Sequence, residues 1–266
     1  MPTIPAEPAR ESHRARDLAE SFGAVAERYD RTRPSYPVAM VDRIVAASPG
    51  RDVVDVGCGT GIAARQFRAA GCTVLGVEID EKMAEVARRH GIEVEVSSFE
   101  TWDTGGRTFD LVVAGQTWHW VDPVAGAAKA AEALRPGGRL ALFWNVGLPP
   151  ADLSAAFAEV VRRVVPGFPA LDAAKQANGY SLFLDKAAEG LGAAGGFGEP
   201  ERWSFDWTRH YTKDEWLEQV PTFGGNSRLA PEQLAELQSG VGAAIDAAGG
   251  EFTMTYQAVV FTAARD

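Results

Sequence analysis

The chain has 266 residues, 46% hydrophobic and 23% charged, enough to bury one sizeable α/β core with an appended subdomain. Its formal net charge of −10 opposes the phosphate neutralisation on which nucleic-acid binding depends, so a small-molecule partner is favoured over nucleic acid. The only cysteines, Cys58 and Cys72, supply neither a disulfide framework nor a zinc-ligand spacing, and no run of about eighteen apolar residues suits a membrane span; a cytoplasmic, metal-free protein without a secretory signal is expected, as monomer or homodimer.

Residues 1–16, rich in Pro, Ala, Glu and Arg, show no apolar periodicity and are expected to form a mobile leader. From Asp17, a plausible N-cap, Leu18, Phe22, Val25, Ala26 and Tyr29 recur at helical spacing until Pro34 forbids continuation. Tyr29-Asp30-Arg31-Thr32-Arg33-Pro34-Ser35-Tyr36-Pro37 then sets two tyrosines and two arginines around a Pro-stiffened loop that either lids a ligand mouth or caps the sheet. A helix is expected over Val38 to Ala47, ended by Pro49-Gly50.

The central signal is Val53-Val54-Asp55-Val56-Gly57-Cys58-Gly59-Thr60-Gly61. A buried parallel strand is cut by three glycines at alternate positions, and a helix from Ile62 to Ala70 follows. The result is a strand-to-helix elbow with free N–H groups, where α/β sheets hold nucleoside-bearing ligands. A dinucleotide fingerprint fails at Ile62, which is too large for its third glycine. Asp55 would repel a pyrophosphate and suits a ligand with an ammonium group. The next strand, Thr73 to Glu78, ends in an acid seventeen positions beyond Gly61 (78 − 61), placed to accept from both hydroxyls of a ribose.

Ile79 to His90 reads as a helix with Met83, Val86 and Ala87 inward, and Ile92 to Val96 alternates as a third strand ending at Ser97-Ser98-Phe99-Glu100. Thr108 to Gly115 is a continuous apolar run suited to a strand covered on both faces. It leads into Gln116-Thr117-Trp118-His119-Trp120-Val121-Asp122, an amide, an imidazole and two indoles at the ligand edge of the sheet. His119 has an intrinsic pKa of about 6.5 and is a candidate general base, beside the alternative of a structural histidine. Asp122-Pro123 opens a helix to Leu134, Arg135 to Arg139 makes a turn, and Leu140 to Trp144 forms a fifth strand with Trp144 and Asn145 at its ligand end. Helices are expected over Leu153 to Val165 and over 231–248, strands over Arg202 to Trp207 and Phe252 to Thr262, and substrate-covering insertions over 148–196 and 211–250.

Asp55-x-Gly57-x-Gly59-x-Gly61 resembles motif I of the class I S-adenosylmethionine methyltransferases, and Leu134-Arg135-Pro136-Gly137-Gly138 resembles their signature after the fourth strand. The Tyr29-Asp30…Arg33-Pro34-x-Tyr36-Pro37 and His119-Trp120-x-Asp122 strings are similar to those of the trans-aconitate methyltransferase-like, methyltransferase type 11 group. The resemblance covers about residues 22 to 146 and, more loosely, the tail. It implies a Rossmann-like, doubly wound, seven-stranded, mostly parallel sheet whose last strand is antiparallel. Lid helices and the cofactor half occupy 17–147, and cap insertions with the C-terminal strands occupy 148–266.

It also implies S-adenosyl-L-methionine as cofactor, with S-adenosyl-L-homocysteine as product and a methyl passing to an O, N or C nucleophile of a small acceptor. The implied cofactor contacts are Asp55, Gly57, Cys58, Gly59, Thr60, Gly61, Glu78, Ile79, Met83, Ser98, Phe99, Glu100 and Gln116. Ser98 and Phe99 stand where the group often has Asp-Ala, and Glu100 has a supporting role. Tyr29, Arg33, Tyr36, Trp118, Trp120 and Trp144 are the implied acceptor contacts. A rearrangement or cyclisation on the same fold, or ligand binding alone, is the alternative.

Overall fold

A computed structural model describes residues 20–166 and 173–266. The leader over 1–16, the cap at Asp17 and the break at 167–169 lie outside the described residues. A 3₁₀ segment over Glu20–Val25 leads into α1 (Ala26–Thr32), where one uninterrupted helix is expected from the sequence. Arg33 closes α1 with φ −68° and ψ 141°, the extended backbone that a following proline imposes. Then come α2 (Val38–Ala46), β1 (Asp52–Val56), α3 (Ile62–Ala69), β2 (Thr73–Glu78), α4 (Glu81–Arg89), β3 (Glu93–Val96), β4 (Phe109–Gly115) and α5 (Pro123–Ala133). The chain continues through β5 (Leu134–Leu148), α6 (Ala151–Val164), α7 (Ala173–Ala194), β6 (Glu201–Thr212), α8 (Lys213–Gln219), α9 (Pro231–Ala247) and β7 (Glu251–Ala264).

The strands form one sheet in the order β3-β2-β1-β4-β5-β7-β6. Pairings from β3 to β5 are parallel, and β7 runs antiparallel to both of its neighbours. Strand alternation splits the core in two. Val53, Leu111, Val113 and Phe143 face α2 and α3, together with Met40, Ile44 and Phe67. Val54, Val112, Ala114 and Leu142 face α5 and α7, together with Ala127, Ala130, Phe183 and Leu184. Every residue from Phe109 to Ala114 is therefore buried, which accounts for the unbroken apolar run.

The Arg135-to-Arg139 turn is present, but it sits inside β5 as an irregularity. Phe109 pairs with Leu134 and Leu111 with Arg139, so the intervening residues bow out around Gly137 at φ +74°. Strands β5 and β6 extend well beyond their expected bounds, whereas β7 matches its own within two residues at each end. Tyr211 pairs with Phe252 and Leu148 with Thr255, past the ends of the parallel strands. On this extension α6, α8 and α9 build a third core around Phe157, Trp216, Tyr211, Phe252 and Ile245. The cap therefore stands over the C-terminal edge of β1, β2 and β4. No helix among the described residues is long and apolar enough to cross a membrane.

Gly57 has a positive φ of 57°, and a Cβ there would lie 2.1 Å from Thr117 Cγ2; Gly71 has φ +86° with nothing within 4 Å. Gly57→Ala is expected to lower stability by about 2 kcal/mol or more, from backbone strain and collision together. Gly71→Ala meets only the strain. Urea melts of both variants check this, and equal losses would contradict the close packing of the elbow on the end of β4.

Candidate functional site

One deep cavity opens at the C-terminal ends of β1, β2 and β4 beneath the cap, and counted with its open mouth it encloses about 1370 Å³. At one end the floor is the elbow, Gly57 to Thr60, and the wall is Glu78, Ile79, Met83 and Ser97 to Glu100. At the other end stand Tyr29, Arg33, Tyr36, Gln116, Trp120, Asn145, Gln219 and Tyr256. The cavity thus gathers most of the residues singled out from the sequence.

Glu78 holds the elbow in place. Its Oε2 accepts from Gly59 N at 2.7 Å, and Oε1 accepts from the backbone N–H groups of Ile79 and Asp80, each at 2.9 Å. Burial pushes its carboxyl above the usual range despite these donors. Asp55 is 1% exposed, and its Oδ2 has no hydrogen-bond partner. Burial, reinforced by the Glu78 charge, raises its pKa to about 8. Two buried carboxyls at one cavity end, one with an oxygen that no donor reaches, suit a cationic group with hydroxyls beside it. Thr60 Oγ1 is likewise buried and unpartnered.

The mouth loop is clamped from two sides. Gln66 accepts from Tyr36 N at 2.9 Å and donates to Tyr36 O at 2.8 Å, and Asn145 Nδ2 donates to Ser35 O at 3.1 Å. Tyr36 packs edge-on against Phe143 at 4.7 Å. Gln116, the one non-glycine residue with positive φ among the described residues (58°), links the end of β4 to β5. Its N–H donates to Phe143 O, and its Nε2 donates to Asn145 O. Such a conformation costs on the order of 1–3 kcal/mol and occurs mainly where a site demands it. Glu100 lines the cavity and accepts from Asp122 N at 3.1 Å, tying it to the start of α5.

Four expectations need correction. His119, Trp118 and Trp144 do not line the cavity, and Gly61 lies behind it as the left-handed N-cap of α3. Trp118–Trp120 is a single 3₁₀ turn, so successive side chains diverge by about 120° and only Trp120 reaches the cavity. The His119 ring stacks on Phe183 at 4.7 Å and its Nδ1 accepts from Trp144 Nε1 at 3.3 Å. Burial depresses its pKa to about 3, too weak a base for proton abstraction near neutral pH. Trp118 and Trp144, 3% and 1% exposed, belong to the core. Arg31 also turns outward, to Glu218.

The sequence reading missed Gln66, Gln219 and Tyr256, whose relevance depends on long-range folding. It also missed Asp80, which caps α4 through Lys82 N and Met83 N and accepts from Gly23 N at 2.9 Å. An Asp just before a helical run was the available signal for that cap.

Residues 54–142 match the family model described as a methyltransferase domain. The chain is 36% identical over 132 residues to an uncharacterized methyltransferase of Mycobacterium tuberculosis, covering 49% of this chain and 54% of that protein. It is 33% identical over 131 residues to a ubiquinone biosynthesis O-methyltransferase of Hahella chejuensis, covering 46% and 55%. The chain spans about half the length of these curated relatives.

Among solved structures, a candidate type II methyltransferase from Anaeromyxobacter dehalogenans matches 86% of this chain and 97% of its own at 23% identity and a TM-score of 0.59. A phosphoethanolamine N-methyltransferase from Haemonchus contortus matches 91% and 57% at 19% identity and a TM-score of 0.51. These two likenesses show the fold. Residues 54–142 are thus similar to a methyltransferase domain, and the cofactor of the class I methyltransferases is S-adenosylmethionine. The unpartnered Asp55 Oδ2, the glycine-rich elbow and the buried Glu78 fit that molecule's ammonium, backbone approach and ribose.

Folded Asp55 keeps its proton up to about pH 8, whereas unfolded it ionises near the usual carboxylate value of 3.8. The folded state binds more protons between those limits, so stability falls as pH rises through that window. Asp55→Asn removes this decline. The Tm of the variant relative to wild type, both free of cofactor, should be higher at pH 8 than at pH 5, and parallel pH profiles would contradict the assignment.

Proposed function

We propose that this protein transfers a methyl group from S-adenosylmethionine to an oxygen, nitrogen or carbon nucleophile of a small molecule. The observation that carries this is the pairing of Asp55 and Glu78 at the elbow end of a cavity with a second, aromatic-walled end under the cap. The chemistry that bound S-adenosylmethionine supplies is an electrophilic sulfonium methyl, whose passage to the nucleophile leaves S-adenosylhomocysteine. In this reading Glu78 takes the ribose hydroxyls and Asp55 the ammonium group, giving up its proton as it does so. Met83, Ile79, Ser98 and Phe99 hold the base. Ser98 Oγ already shares a hydrogen bond with Thr101 Oγ1 at 2.8 Å, so it contributes a neutral contact there.

The acceptor enters between Tyr29, Arg33, Tyr36, Trp120 and Tyr256. Among the described residues no histidine lines the cavity, so catalysis rests on holding the nucleophile in line rather than on an imidazole base. Two free cysteines and the acidic surface suit the cytoplasm, which is part of this reading.

Calorimetric titration with S-adenosylhomocysteine tests the cofactor half. Wild type should bind, and Glu78→Gln, which keeps one acceptor oxygen for the elbow, should weaken binding by about 1.5–3 kcal/mol, the worth of a hydrogen bond to a charged group. Unchanged affinity in the folded variant would remove the ribose assignment. In turn, His119→Asn should leave cofactor affinity within about twofold of wild type, and a tenfold loss would return His119 to the site.

A further inference from the structure

Four residues, Gln66, Asn145, Phe143 and Gly115, set the position of one hydroxyl in the cavity, that of Tyr36. Gln66 holds the Tyr36 backbone on both sides, accepting from its N–H at 2.9 Å and donating to its carbonyl at 2.8 Å. Asn145 Nδ2 fixes the preceding residue through Ser35 O at 3.1 Å. The Tyr36 ring stands edge-on against Phe143, and Gly115 at the end of β4 leaves it room, since a Cβ there would fall 2.8 Å from Tyr36 Oη. The residue is 8% exposed and lines the cavity, yet its hydroxyl makes no hydrogen bond to any of the described residues.

The place of that hydroxyl follows from the sheet. Asp55 pairs with Val113, so Gly57 and Gly115, each two residues further along the chain, lie at the same level. Thr117 Oγ1 stands 3.0 Å from Gly57 O and 3.1 Å from Gly115 O, which keeps the two chain ends side by side. The Tyr36 hydroxyl therefore sits over the crevice where β1 and β4 end, next to the elbow. Burial, with Tyr29 and the Asp55 carboxyl nearby, pushes the phenol well above its usual range, so the group is neutral near neutral pH.

A hydroxyl held in this way, with no partner in the fold, is a preorganised dipole. With its oxygen turned to the crevice it favours a positive centre there, and it is nearly indifferent to an uncharged centre of the same shape. In the methyl-transfer reading, the atom that joins the ammonium-bearing end at Asp55 to the ribose at Glu78 is the sulfur. That sulfur is a cationic sulfonium before transfer and a neutral thioether after it.

We propose that the Tyr36 hydroxyl reads the charge on the sulfur, favouring the sulfonium form of the cofactor over the thioether product. This rests on the methyl-transfer reading for the identity of the ligand. Gln66 and Asn145 act through Tyr36 as positioning residues, and Gly115 keeps open the space that the hydroxyl occupies. The ring of Tyr36 remains a separate part of the cavity wall.

Tyr36→Phe keeps the ring and its contact with Phe143 and removes only the hydroxyl. Calorimetric titration of the full chain with S-adenosylmethionine and with S-adenosylhomocysteine gives the ratio of two dissociation constants for wild type and variant. The carboxylate, ammonium group, ribose and base are common to both ligands, so the change in that ratio is blind to contacts with them. The variant should bind S-adenosylmethionine about threefold to tenfold more weakly, the range of a single polar contact, and S-adenosylhomocysteine within about twofold of wild type. Its Tm without ligand should be unchanged, whereas a hydroxyl kept for structure would lower it.

An unchanged ratio in the folded variant, or equal weakening of both ligands, would overturn the proposal while leaving the cofactor reading intact. Failure of wild type to bind either ligand would remove the cofactor reading and the proposal with it, so the two failures are distinguishable.

Discussion

The Glu78 carboxylate is the constraint on which the site depends. By accepting from Gly59, Ile79 and Asp80 it ties the elbow after β1 to the end of β2, and so sets the width of the crevice between two parallel strands. Gly57 must remain side-chain-free because Thr117 fills the space above it, and Thr117 Oγ1 donates to Gly57 O at 3.0 Å, fixing the end of β4 to the same loop. Asp55 is then held near Glu78 in a dry environment, which raises its pKa. A site organised by a buried carboxylate is ready for a cation and hydroxyls before any ligand arrives.

The second half of the cavity is built by a different device. Strands β5, β6 and β7 continue past the parallel strands, and the cap helices bury Trp216, Tyr211 and Phe157 against that extension. Arg33 and the outward Arg31–Glu218 pair join the N-terminal helix to the cap, so the roof is contributed by sequence from both ends of the domain. The elbow end combines backbone and two carboxyls with the apolar Ile79, Met83 and Phe99, whereas Tyr29, Tyr36, Trp120 and Tyr256 contribute rings elsewhere in the lining. The two ends can therefore vary independently, one fixed by the shared chemistry and the other by the acceptor.

Much of this was legible in the sequence where chemistry is local. Three alternate glycines, an Asp inside a Val run and an acid at the next strand end specify the elbow without any knowledge of the rest of the chain. The Asp122-Pro123 opening of α5 was equally clear. The His-Trp string misled because side-chain type was visible and side-chain direction was not. In a 3₁₀ turn one of the three residues reaches the cavity, and His119 and Trp118 go to the core. The length of β6 was underestimated because its alternation continues through polar, half-buried positions with little hydrophobic contrast. Gln219 and Gln66 carry no local signal, since an unpartnered amide or a backbone clamp is defined only by what lies across from it.

The central claim is that Glu78 and Asp55 together orient the cofactor in the crevice. The most direct measurement is a crystal structure of the chain with S-adenosylhomocysteine bound. The account predicts the ribose hydroxyls on Glu78, the amino group on Asp55, and the sulfur facing the aromatic end beneath the cap. A ligand lying in the reverse sense, with its base toward Asp55, or bound outside the crevice, would contradict it.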